Sequence, residues 1–254
     1  MLVTSCRTSA RDADLWIDLS TADESYAQIH RERLERLSYE SLRAIEDFTS
    51  EGPCYASVSW GKDSVVLAHL VRLWGERVGR PVSLVNLRIH PTRNPDCDAV
   101  RDAFLDQFPG PYHEEPVDYA AVDPSLPSIE WDRLTYKLWD AAWANVDAMF
   151  GGRHMSGVRS QESFARRMRM TMHGWATKRT CAPIGYWRLT DVFAWLATHD
   201  LPVHPAYAML GGGRWRREQI RVAEIGDEKG AERGRRAWEM EYYGDVLRRL
   251  EAGR

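Results

Sequence analysis

The chain has 254 residues, 44% hydrophobic and 28% charged, the proportions of a globular protein with one large or two small domains. A formal charge of −3 gives no global attraction to nucleic acid or to an anionic membrane, and no apolar run approaches the roughly 20 residues of a spanning helix. Cys6, Cys54, Cys97 and Cys181 stand far apart with no Cys-x-x-Cys pair, which leaves no zinc or iron–sulfur signature and suits reduced thiols in a cytoplasm.

Residues 1–20 read as irregular, and with no apolar core beside their charges no secretory leader is expected. Ser20 and Thr21, with Asp23 and Glu24 three residues on, offer capping-box starts. Leu34, Leu37, Leu42, Ile45 and Phe48 recur at helical spacing up to Gly52-Pro53, which predicts an N-terminal helix packed on the main domain. Strands are predicted at 54–58, 82–87, 112–117, 153–158 and 181–184. Helices are predicted from the loop after the first strand to about residue 74, then at 96–108, 132–150 and 191–199, the last capped by Thr190. Strands alternating with helices imply βαβ units, hence an α/β fold with a mostly parallel sheet and helices on both faces. The organisation expected is a helical extension over 1–50, an α/β domain over 51–210 and a basic, helical, peripheral tail over 211–254.

Charge is unevenly placed. Residues 91–132 hold ten acids against two bases, residues 151–180 seven bases against one acid, and residues 211–221 four bases against one. A basic stretch is either a solvated face or a path for a polyanion.

Between the first strand and the helix after it stands Ser59-Trp60-Gly61-Lys62-Asp63-Ser64. A strand, a small-residue loop and a helix N-terminus make an anion cradle, because the first helical N–H groups lack intrahelical partners and carry the positive end of the macrodipole. Lys62 adds a full charge, and Gly61 lets backbone approach an anion with no Cβ in the way. The loop is no Walker A: Ala56 and Asp63 stand where that pattern needs Gly and Ser or Thr. It resembles the PP-loop, Ser-Gly-Gly-x-Asp-Ser, of the adenine nucleotide alpha-hydrolase-like superfamily, with Trp60 in place of the first Gly.

Two further motifs follow in the order that family has them. Gly157-Val158-Arg159-Ser160-Gln161-Glu162-Ser163 presents an Arg able to contact a phosphate or sulfate bidentately. Ala182-Pro183-Ile184, Trp187, Thr190-Asp191-Val192, Trp195-Leu196, Leu201-Pro202-Val203-His204-Pro205 and Tyr207 complete the series. Over residues 50–210 the chain resembles the phosphoadenosine phosphosulfate reductase-like branch of the PP-loop superfamily. The resemblance implies that Ser59, Trp60, Gly61, Lys62, Asp63 and Ser64 hold nucleotide phosphates, that Gly157 and Arg159 line the same pocket, and that Trp187 and Asp191 organise its wall. His204 reads as structural rather than catalytic.

The departures shape the functional expectation. Reductases of that branch carry a nucleophilic Cys near the C-terminus, whereas this chain has none after Cys181, and Cys181 beside Ala182-Pro183-Ile184 reads as an inert core thiol. The clustered cysteines of iron–sulfur sulfur-transfer relatives are missing. So is the family's Asp-Thr-Gly after the second strand, where Asn86-Leu87-Arg88-Ile89-His90 stands instead and offers Arg88 and His90 to the adenosine. The expectation is therefore an enzyme that binds ATP and Mg2+, splits ATP into AMP and pyrophosphate, and adenylates an acceptor, with Lys62, Asp63 and Arg159 catalytic and Asp63 holding the metal. The acceptor stays open between a nucleic acid, for which Trp175 and Trp215 among basic residues supply stacking, and a small anion such as sulfate. A partner protein would donate any sulfur. The alternatives are a non-catalytic nucleotide-binding or regulatory module, and a sulfonucleotide reductase with an atypical thiol.

Overall fold

In a computed structural model, which describes residues 1–123, 125–226 and 235–252, the chain forms a five-stranded sheet in the order β3-β2-β1-β4-β5. The strands are β1 (Tyr55–Ser57), β2 (Leu84–His90), β3 (Tyr112–Asp118), β4 (His154–Ser156) and β5 (Thr180–Cys181). Every neighbouring pair is parallel. The helices are α1 (Ala10–Ile29), α2 (Arg31–Ser50), α3 (Lys62–Val78), α4 (Asp96–Gln107), α5 (Ser128–Phe150), α6 (Phe164–His173), α7 (Leu189–Thr198) and α8 (Arg235–Ala252).

Side-chain alternation along the strands assigns the layers. Tyr55, Val85 and Val146 form one cluster, and Ile89, Val117 and Ala142 another, so α5 covers one face of the sheet. Ala56, Leu84 and Met155 point the other way, into the main core with Leu67, Phe104 and Phe193 of α3, α4 and α7. The expected parallel α/β sheet with helices on both faces is the one observed.

The N-terminal segment differs from the expectation. It is two helices, and α1 begins at Ala10, with Ser9 accepting the Asp12 N–H at 3.1 Å. Ser20 and Thr21 lie inside α1, where both hydroxyls donate to the Ile17 carbonyl. Helix α1 buries only Asp12, Asp23 and Ala27, so it carries almost none of the apolar periodicity that reveals α2. Helix α6 was not expected either: Ser163 caps it by accepting the Arg166 N–H, and it buries only Met170. Thr190 is inside α7, whose cap is Arg188, with Asp191 accepting the Arg188 N–H at 2.7 Å. Asp191 also pairs with Arg33 and accepts from Tyr26, tying α7 to both N-terminal helices.

The tail expected to be helical and peripheral lies partly outside the described residues, at 227–234 and 253–254. Its described helix, α8, is not peripheral. Trp238 and Tyr243 are buried in the main core, and the Trp238 indole donates to the Met209 carbonyl at 2.8 Å.

Asp12 knots these ends together. Its carboxylate accepts the N–H groups of Leu210 and Gly212 at 3.1 and 3.0 Å and the Tyr242 hydroxyl at 2.7 Å. Burial works against the charge, yet these hydrogen bonds outweigh it and hold the pKa below the usual carboxylate value. Asp12→Ala strands three donors, so a loss of about 3 kcal/mol in urea unfolding is expected. A variant as stable as the parent would show that the knot contributes nothing.

Candidate functional site

The loop after β1 turns sharply. Trp60 has φ 61°, a left-handed conformation that costs a residue with a Cβ about 1–2 kcal/mol and explains a Gly at this position in the resembled pattern. Trp60 offsets the strain by burying its indole between the rings of Phe104 and Tyr112, at 5.7 and 5.6 Å. Its side chain therefore lies in the core, and only its backbone belongs to the loop. The Ser59 N–H donates to the Ser64 hydroxyl at 3.2 Å, which donates to the Gly61 carbonyl at 3.0 Å. These bonds fix the loop to the first turn of α3.

Lys62 opens α3 and is buried. Its ammonium meets one oxygen of Asp63 at 2.8 Å, while the other oxygen takes the Arg159 Nε at 2.6 Å. Arg159 is only 4% exposed. Two buried cations thus share one carboxylate at a helix N-terminus. Burial opposes the Lys62 charge, but the nearby Tyr207 and Asp63 oxygens outweigh it and raise the pKa.

Arg159 is delivered by the turn after β4. Glu162 accepts the Arg159 N–H at 2.8 Å and pairs with Arg166, so it holds the turn rather than the Arg159 side chain. A Cβ on Gly157 would stand 2.9 Å from the Asp63 carbonyl carbon and oxygen, so only glycine lets β4 approach α3 this closely. Ser59, Gly61, Lys62, Asp63, Ser64, Gly157 and Arg159 come together at the carboxyl ends of β1 and β4, where open α/β sheets bind ligands.

Other expected residues lie elsewhere. Trp187 is in the core and donates to Ser41 at 3.0 Å. His204 is buried, and its Nδ1 accepts the Ala206 N–H. Arg88 binds Asp98 and Glu114, and His90 meets Asp118. Arg93 and Arg101 join the Asp98–Glu114 network, so much of the acidic stretch is neutralised internally. Among the basic residues of 211–221, Arg217 pairs with Asp23 and Arg214 with Glu241. Trp215 packs against Tyr242.

Tyr207 and Val222 were not expected at the site. The Tyr207 hydroxyl accepts the Lys62 N–H at 3.2 Å. A Cβ on Gly61 would stand 3.1 Å from a Val222 methyl and 3.3 Å from the Tyr207 oxygen. The space over Gly61 is thus filled by the chain's own side chains. Tyr207 could be sought in the His-Pro-x-Tyr run, whereas nothing local marks Val222, 160 residues from the loop by numbering.

The donor set fits a phosphate group: a helix N-terminus with two cations against one carboxylate, a surplus of one positive charge. It does not fit a metal held by the protein alone. Both Asp63 oxygens face cations, and among the described residues no group of three His, Cys, Asp or Glu could hold a metal ion. Nor is any described helix long and apolar enough to cross a membrane. The cysteines are free. Burial pushes the Cys97 and Cys181 thiols up to about 12 and raises that of Cys54.

These features define an α/β protein with a five-stranded parallel sheet and a loop and turn that resemble those of the PP-loop. No protein-family model matches the chain, and no curated protein matches its sequence. Among solved structures it is similar to a phosphoadenylyl-sulfate (PAPS) reductase from Candida auris in a phosphate complex, with 12% identity over 68% of this chain and 88% of that one, TM-score 0.48. An FMN adenylyltransferase from Candida glabrata in complex with ATP gives 16% identity over 82% and 68%, TM-score 0.49. An NH3-dependent NAD synthetase from Campylobacter jejuni in complex with the nitrate ion gives 10% over 66% and 74%, TM-score 0.44. At these values the likeness is one of chain course.

Proposed function

We propose that the chain is an ATP-using enzyme that transfers AMP to an acceptor oxygen. The observation that carries this reading is the pair of buried cations, Lys62 and Arg159, sharing the single carboxylate of Asp63. A buried charge without a partner is costly, and a phosphate on the loop supplies the missing negative charge. In the reaction, the acceptor oxygen forms a bond to the α-phosphorus. The bond from that phosphorus to the bridging oxygen breaks, and pyrophosphate leaves with the electron pair. Lys62, Arg159 and the first amides of α3 stabilise the charge that develops, so the catalysis is positional and electrostatic. Asp63 holds the two cations in register. Magnesium enters, on this reading, with the nucleotide.

A reductase needs a thiolate, and the buried, protonated state of Cys97 and Cys181 speaks against one. For the acceptor, the 151–180 stretch keeps Arg167, Arg169 and Lys178 without an ion pair among the described residues, which favours a polyanion such as nucleic acid over a small anion. Any sulfur comes from a partner protein.

The test is incubation with α-labelled ATP and magnesium, with and without tRNA, DNA or sulfate. α-Label carried onto one acceptor, with pyrophosphate rising alongside, supports the reading, while nucleotide bound without turnover under every acceptor moves it to a binding module. Lys62→Ala is expected to lower pyrophosphate release by about a hundredfold or more with little change in melting temperature, since Asp63 keeps Arg159. Full turnover in that variant would end the assignment.

A further inference from the structure

The segment over the cradle is built to stay there. Ile220, Val222 and Ile225 are buried in the main core. The Asn94 N–H donates to the Ala223 carbonyl at 3.3 Å, and the Ile225 N–H to the Thr92 carbonyl at 2.7 Å. Arg93 and Glu224 face each other as an antiparallel bridge. The Cys97 thiol lies 3.5 Å from the Val222 carbonyl and 3.8 Å from that of Ser59. Residues 220–225 therefore pair with the turn after β2 and cross to Gly61.

Beside this segment, the turn Pro205–Tyr207 presents the Tyr207 hydroxyl to the Lys62 amide, with the Lys62 ammonium 5.3 Å from the centre of the same ring. Val222 thus lies against Gly61, and the Tyr207 hydroxyl takes one of the amides that a phosphate on this loop would use.

We infer that residues 220–225, with Tyr207, form an autoinhibitory strap over the phosphate cradle, and that nucleotide binding requires the strap to lift. This rests on the cradle being the nucleotide site. The linkage is quantitative: when only a fraction of molecules has the strap lifted, the apparent dissociation constant rises by the inverse of that fraction. Weakening the strap without touching Lys62, Asp63 or Arg159 must then tighten binding. Val222→Ala removes the methyls over Gly61 while keeping the backbone pairing, and Tyr207→Phe frees the Lys62 amide while keeping the ring.

The experiment measures ATP affinity of the full chain by calorimetry for the parent and both variants. In parallel, deuterium exchange at the Ile225 and Asn94 amides of the parent is followed with and without ATP, a readout that does not depend on a variant folding. The expected result is a threefold to tenfold tighter dissociation constant in either variant, with faster exchange at both amides when ATP is bound. ATP that binds parent and variants equally, or that slows exchange at those amides, overturns the strap and leaves the cradle in place. ATP that binds none of the three overturns the cradle reading and the strap with it.

Discussion

Replacing Asp63 by Asn should destabilise the protein by about 3–5 kcal/mol, because it removes one partner from a buried ion-pair cluster and leaves the others uncompensated. Lys62 and Arg159 are 7% and 4% exposed, and among the described residues neither side-chain charge pairs with a second carboxylate. The loss is specific in kind, because it comes from surplus positive charge and an added anion should reverse part of it. A ligand that binds the folded state alone stabilises by about 2.7 kcal/mol at a hundred times its dissociation constant. Inorganic phosphate or pyrophosphate should therefore raise the melting temperature of Asp63→Asn far more than that of the parent, in which one of the two positive charges is already neutralised. Chloride at equal ionic strength should not. A variant as stable as the parent, or one indifferent to phosphate, would remove the charge-surplus argument on which the proposed function stands.

The same residues show what a sequence can reveal. The loop and the helix after it are local: strand, small-residue turn and first helical turn are contiguous, and their hydrogen bonds run among Ser59, Gly61 and Ser64. The parallel sheet was legible for a similar reason: β2 opens on an apolar run bounded by turns, whereas β3, Tyr-His-Glu-Glu-Pro-Val-Asp, is marked only by its ends. Helix α1 was hidden because two of its three fully buried side chains are carboxylates, while Leu15, Trp16 and Leu19 pack on the core only partly buried. Asp12 receives Tyr242, and Asp23 receives Arg217. The break between α1 and α2 at His30 carries neither Gly nor Pro, and α6 is a short Arg-rich run whose Phe164, Met168 and Met172, four residues apart, stay exposed rather than marking a core contact.

The strap and the charge pattern were illegible for a different reason. Tyr207 meets Lys62 across 145 positions, and only folding brings them together. The basic run of 211–221 reads as an open polyanion path, yet Arg217 clamps Asp23 with both terminal nitrogens at 2.6 and 2.7 Å. Charge counted along a chain says nothing of which charges the fold pairs. Asp63, the carboxylate that pairs with both cations of the cradle, belongs to none of the three runs that the count singles out.

Acid should unfold the protein earlier than its carboxylates alone would dictate, because two histidines are buried in the neutral form. Burial lowers the pKa of His69 to about 3, with His199 adding to the effect, and burial alone lowers that of His204 to about 3. Both rings accept a hydrogen bond at Nδ1, from the Trp195 indole at 3.1 Å and from the Ala206 N–H at 3.1 Å. Protonation there would lose the bond and bury a cation. In the unfolded chain these residues bind a proton near pH 6.5. Their contribution is thus complete above that value and is lost as the pH falls from about 6.5 towards 3, by up to about 1.4 kcal/mol per pH unit for each histidine. The lowered carboxylates Asp12, Glu115 and Asp191 act in the same direction but only below about pH 4. Urea unfolding at pH 7, 6 and 5 separates the two sources, since any loss across that range belongs to the histidines. His204→Asn offers an amide oxygen to the Ala206 N–H and should flatten the slope by about one proton. A stability that stays level from pH 7 to 5 would mean that neither ring is held neutral by the fold.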